Sequence, residues 1–188
     1  EETVKLLAVR LYAYGTDHFS AVVDGAVYGA VAGLGFATIE NAIYITQNLD
    51  APMASGLGLI GAGGSITAVR ALAGPGHVIY SAFAGYYLGL AKFNRENRGP
   101  IIIKGLLVAA LIHATYNTTV GIGSALIGLS TGLSQLPSLL IYVLLYDGIF
   151  GFILFRKIRR YSHTYNEVHE EEDAEESAIE AELPEFES

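Results

Sequence analysis

The sequence has no cysteine, which excludes disulfides and thiolate chemistry but leaves the compartment open. It has no His-Glu-x-x-His run, the spacing that would by itself argue for a zinc hydrolase, and no serine in a nucleophile-elbow context. No convincing internal repeat is found. Charge is scarce, at 16% of residues, and uneven. Residues 167–188 hold 11 of the 19 acidic groups and no Lys or Arg, whereas residues 1–166 carry 11 basic against 8 acidic groups. The formal charge of -8 therefore describes an acidic tail on a mildly basic remainder. There is neither an initiator methionine nor a signal peptide. The chain opens on two glutamates and an apolar run, the pattern expected if further spans precede this stretch.

What is present is apolar: 52% hydrophobic residues, 22 glycines and a mean hydropathy of +0.40. That is too apolar and glycine-rich for an ordinary water-soluble domain. The expected fold is all-α, a polytopic transmembrane helical bundle over residues 1–160. Residues 161–188 are expected to form an acidic, disordered cytoplasmic tail. Residues 4–14 form a helix too short to cross a bilayer. Residues 21–47 form a full span, with Gly25, Gly29, Gly33 and Ala37 in a small-residue stripe that admits a neighbouring backbone. Residues 48–52 break it. The glycine-rich stretch 54–73 either spans or re-enters, and Gly74-Pro75-Gly76 is expected to break the chain before a helix at 77–92. Spans follow at 101–123 and 136–155, joined by a Gly/Ser/Thr-rich connection.

Orientation follows from charge. Lys92, Arg95, Arg98 and Lys104 cluster at one loop, and Arg156, Lys157, Arg159 and Arg160 follow the last span. The positive-inside bias makes both ends cytoplasmic, with an even number of spans between them. Depth then bears on 54–73. If that stretch fully spans, Glu40 and His77 fall far apart; if it re-enters, they approach, so one shared site favours re-entry.

A glutamate inside an apolar span costs roughly 2.5 kcal/mol or more, so Glu40 requires a partner or a job. Candidate partners are Arg70 and His77, the opening Glu1-Glu2-x-x-Lys5, and His113-x-x-x-Asn117, whose two residues share one helix face. His113 can act as ligand, base or donor, and Asn117 as an oxyanion donor. The alternative for this pair is a helix–helix hydrogen bond. Glu1 and Glu2 point about 100° apart, so one can be a water-activating base and the other a partner of Lys5. Alternatively, they simply begin the chain. Arg70 can pair with a glutamate or anchor to headgroups, and His77 can be interfacial packing. Asp24 and Asp147 are expected at membrane interfaces, as are most of the 12 tyrosines.

In register, Glu1-Glu2-x-x-Lys5, Asp24-Gly25-x-x-Tyr28-Gly29 and Gly33-Leu34-Gly35-Phe36-Ala37-x-x-Glu40-Asn41 resemble the PrsW family of intramembrane proteases. Arg70, Pro75-Gly76-His77, Gly85-Tyr86-Tyr87-Leu88-Gly89 and His113-x-x-x-Asn117 continue that order. The resemblance covers about residues 1–120. It extends distantly to CAAX-processing and bacteriocin-processing membrane proteases, from which this chain departs at Glu40, where those relatives carry histidine. It implies an intramembrane endopeptidase of prokaryotic cell membranes, acting on a membrane-anchored protein. Glu1 or Glu2 would be the base, Glu40 and His77 would hold or polarise the water, and His113 and Asn117 would steady the oxyanion. Lys5 and Arg70 would give support. A zinc ion held by His77, His113 and Glu40 is the metal-dependent version; without it, no cofactor is expected. No nucleic-acid partner is expected, and the oligomeric state is not legible.

Two other classes bury the same residues. An ion- or proton-coupled carrier places Glu, Arg and His in broken helices, and it should carry repeated halves. A non-catalytic scaffold uses them as structural pairs.

Overall fold

The computed structural model describes residues 1–47 and 58–182, with side chains described for 1–47 and 70–165. Five helices and no strand occur among the described residues: α1 (Glu2–Tyr12), α2 (Val22–Gln47), α3 (Gly58–Phe93), α4 (Arg98–Thr131) and α5 (Gln135–Glu182). By length and composition, α2, α4 and the Gln135–Tyr165 part of α5 can each cross a membrane. Their outward faces are apolar, with Ile103, Leu107 and Leu111 exposed at successive i+4 positions of α4, and Val27, Val31 and Leu34 along α2. Helices that satisfy their own backbone and turn leucine outward suit a lipid solvent. The chain is an integral membrane protein.

Among the described residues, the closest backbone approaches between helices lie along the seam between α2 and α3. Gly25 lies against the backbone of Gly85 and Gly89, Gly29 against Ser81 and Gly85, and Gly33 against His77 and Ser81. Each step of four residues along α2 is matched by four residues back along α3, so the helices run antiparallel in fixed register. A side chain on Gly25, Gly29 or Gly85 would run into facing backbone. The same register carried outward sets Glu40 and Asn41 beside Arg70.

Charged and polar groups fasten the near end. Lys92 Nζ donates to the carbonyls of Tyr14 (2.8 Å) and Phe19 (2.6 Å), tying the α1–α2 connection to α3. Asp24 accepts from the backbone N–H groups of Ser20 (2.8 Å) and Ala21 (2.7 Å), closing the start of α2. That is its end-of-span place. A four-residue turn joins α3 to α4, where Gly105 admits the Tyr87 side chain. Fewer backbones meet at α5, which is fastened by tyrosines. Tyr146 donates to the Ile112 carbonyl (2.7 Å), and Tyr142 meets Thr119 (2.5 Å).

Several expectations change. Gly74-Pro75-Gly76 does not break the chain: α3 runs straight through it as one 36-residue helix. Proline removes one backbone hydrogen bond, and neighbouring helices can compensate for that loss in a bundle. Re-entry with a break before His77 is therefore replaced by one long helix; the side chains of 54–69 and the expected break at 48–52 lie outside the described residues. The connection expected after residue 123 is helical to Thr131, where Gly132 (φ 72°) caps α4 in the left-handed conformation. Asp147 is not interfacial but buried at 7% exposure, accepting from Tyr80 (3.2 Å). The α5 backbone is helical to Glu182. Glu and Ala are strong helix formers.

Candidate active site

Depth explains which residues meet. His77 lies sixteen residues before the end of α3 and His113 fifteen after the start of α4. At 1.5 Å per residue both sit about 23 Å from the turn that joins the two helices. Their rings are 4.9 Å apart and nearly perpendicular. The amino-terminal end of α1 arrives at the same level with Glu1, Glu2 and Lys5.

The two glutamates are divided by burial. Glu2 is enclosed, its side chain only 3% exposed. Lys5 Nζ donates to its Oε1 (2.6 Å), His113 Nδ1 donates to the same oxygen (3.0 Å), and Ser81 Oγ donates to Oε2 (3.1 Å). Glu1 retains 38% side-chain exposure, with Oε2 at 3.4 Å from Lys5 Nζ, 3.6 Å from His113 Nδ1 and 3.7 Å from His77 Nδ1. Glu1, not Glu2, lines the adjoining cleft.

His77 is held at both nitrogens. Lys5 Nζ donates to Nδ1 (2.8 Å), which leaves the proton on Nε2, facing Glu40 Oε2 at 3.2 Å. Glu40 in turn accepts from Arg70, whose Nε also donates to Asn41 (2.8 Å) while its guanidinium covers the Tyr44 ring. Phe36 lies 5.9 Å from the His77 ring, centre to centre, and beneath the Lys5 ammonium. The carboxylate in the span is thus partnered twice, as its cost demands.

A cleft of about 540 Å³ opens from this cluster, and Glu1, Glu40, Arg70, His77, His113 and Asn117 are among its lining residues. All the candidate residues except Glu2 and Lys5 border it; those two stand behind and hold the others. Sequence reasoning missed Ser81 and Tyr80. Ser81 lies on the same i+4 line as His77, so its position was readable; its bond to Glu2 was not. Tyr80, its ring tilted against that of His113 at 5.2 Å between centres, had no distinguishing pattern among the tyrosines.

A metal can be tested against this donor set. One donor atom each from Glu1, Glu2, His77 and His113 lie within 4.8 Å of one another. Two imidazoles and two carboxylates suit a zinc-type ion in kind and number. Glu40 stands outside this group. It faces the far nitrogen of His77, where a carboxylate orients a ligating histidine. The Lys5 ammonium contacts Glu1, Glu2 and His77, so it competes with any cation for the same donors.

Comparison with known proteins by sequence identifies a family. The model of the family described as PrsW family intramembrane metalloprotease matches residues 1–149. Proteins named Protease PrsW are similar over 62% of the chain: that of Bacillus subtilis (strain 168) at 34% identity, of Geobacillus kaustophilus (strain HTA426) at 32%, and of Clostridioides difficile (strain 630) at 30%. These matches cover 48%, 46% and 46% of those relatives, so the chain spans about half the length of the curated relatives it matches. No solved structure matches the chain.

Proposed function

The chain belongs to the PrsW family of intramembrane metalloproteases, and from that premise we propose that it carries the catalytic centre of an endopeptidase that cuts membrane-anchored proteins within the bilayer. The observation that carries the reading is the meeting of Glu1, His77 and His113 at the head of a cleft inside an apolar bundle.

In this reading Glu1 is the general base. Of the two adjacent glutamates it is the one that borders the cleft, with Lys5 Nζ, His113 Nδ1 and His77 Nδ1 at 3.4, 3.6 and 3.7 Å from its Oε2. Glu1 takes a proton from water as that water attacks the scissile carbonyl, then returns it to the leaving amine. Asn117, one turn beyond His113 on the cleft wall, donates its amide N–H to the oxyanion. Glu2 positions: it fixes His113 and neutralises Lys5. Glu40, steadied by Arg70, fixes the His77 ring. Glu2, His77 and His113 of this donor group would hold the divalent ion, zinc being the proposed one, which leaves Glu1 free as the base; the ion would supply Lewis acidity and a more acidic water. The Lys92–Arg98 end is proposed as cytoplasmic, together with the carboxyl terminus, in a prokaryotic cell membrane.

The test is cleavage of a panel of single-span substrates in liposomes, comparing wild type with Glu1→Gln, Glu40→Gln and His113→Ala, each with and without a chelator. Loss of cleavage in folded variants is expected, at least about a hundredfold for Glu1→Gln. Cleavage undiminished in all three would reject the site, and cleavage indifferent to chelator would reject the metal.

A further inference from the structure

The end of the bundle opposite the active-site cluster holds a second cavity, of about 540 Å³, lined by Tyr14, Lys92, Phe93, Arg95 and Arg98. Three of these five residues are cations and none is acidic; Glu96 lies in the same turn but does not line the cavity. Two polar atoms there are left over. The Tyr14 hydroxyl is buried without a hydrogen-bond partner, on a residue only 6% exposed, and Arg98 Nε is likewise buried and unpartnered. A buried donor without an acceptor costs about 1–3 kcal/mol, so two beside one cavity call for an acceptor.

The charge around Tyr14 specifies that acceptor. The Arg10 guanidinium lies 4.2 Å from the Tyr14 ring centre, Lys92 Nζ 5.5 Å and the Arg98 guanidinium 5.9 Å. Lys92 spends two of its three protons on the Tyr14 and Phe19 carbonyls, leaving one to donate. Arginine forks and a tyrosine hydroxyl, all donors around one space, match a phosphate in number and geometry. The site lies at the level of the α3–α4 turn, a helix end, where headgroups lie.

We infer that this cavity binds a phosphate group, held by the Tyr14 hydroxyl, Arg98 Nε and the Lys92 and Arg95 cations. It does not depend on the proteolytic reading. Its bearing is mechanical: a phosphate here clamps the α1–α2 connection to the α3–α4 turn, and α1 carries Glu1, Glu2 and Lys5. The anion can come from an anionic phospholipid headgroup or from free phosphate, and the experiment separates the two.

The full chain, purified in detergent, is offered phosphatidylglycerol or phosphatidylcholine, and retained lipid is measured by native mass spectrometry. A parallel arm measures binding of inorganic phosphate by calorimetry. Wild type is expected to retain phosphatidylglycerol over phosphatidylcholine. Tyr14→Phe, which removes only the hydroxyl, and Arg98→Gln should each weaken retention about tenfold, the loss typical of one hydrogen bond to a charged group. Thermal unfolding of both variants checks that the bundle is intact. Phosphate binding without lipid retention, weakened by the same substitutions, keeps the site and assigns it to the free anion. Binding of neither by wild type, or binding that both substitutions leave unchanged, overturns the inference.

Discussion

The α2–α3 seam and the α4–α5 seam solve the same problem in opposite ways. Along α2 and α3, glycines let backbone meet backbone, so the register is fixed by shape over about three helical turns. Between α4 and α5, bulk holds the helices apart and hydroxyls join them: Tyr142 donates to Thr119, whose own proton goes to the Thr115 carbonyl, and Tyr146 donates to the Ile112 carbonyl. The first seam positions chemistry, bringing Glu40 to His77 within one hydrogen bond. The second borders the cleft, which Gln135 and Leu139 of α5 help to line. In the proposed reading, precision is built where the candidate reacting groups are held, and looser polar contact where a substrate segment would be admitted.

Breaking the first seam should cost most. Gly85→Leu drives a side chain into the Gly25 and Gly29 backbone and should abolish the folded protein, read as loss of a monodisperse peak in size-exclusion chromatography. Glu2→Gln leaves the Lys5 ammonium buried with half its compensation and should cost about 3–5 kcal/mol, seen as a large drop in Tm. By contrast, Glu1→Gln should leave Tm nearly unchanged while cleavage falls, because that carboxylate is partly solvated. Lys5→Met removes the ammonium that competes for the metal donors. It should raise zinc affinity by about tenfold or more in a competition assay with a chelating dye, where unchanged affinity would mean that the ion sits elsewhere. Smallest is the second seam: Tyr142→Phe removes one hydrogen bond and should lower stability by about 1 kcal/mol.

Much of this was legible in the sequence, and what was not has physical causes. The apolar runs, the α2 glycine stripe and the cost of Glu40 in a span are local properties, and they pointed to a bundle with a sunken polar site. The stripe on α2 and the His77, Ser81, Gly85, Gly89 line on α3 are complementary halves of one seam. Nothing within either half states its partner. Had they been paired, Glu40 would have met Arg70 and His77 without recourse to re-entry. Pro75 misled because the rule that proline ends helices is strongest in water, whereas a lipid-embedded helix has no solvent to take over its backbone. Asp147 misled because a position near an expected span end does not reveal the tyrosine on α3 that accommodates it. The division between an open Glu1 and an enclosed Glu2 depends on how α1 docks, which two adjacent letters cannot encode.

The central claim is that Glu1 and His113, brought together from opposite parts of the chain, act as one hydrolytic unit. A double-mutant cycle in liposome cleavage tests it most directly, with Glu1→Gln, His113→Ala and the pair compared at matched folded protein. Residues acting as a unit are strongly non-additive. The double variant should therefore be about as slow as the slower single variant. Losses that multiply would contradict a shared site and separate the two residues in function.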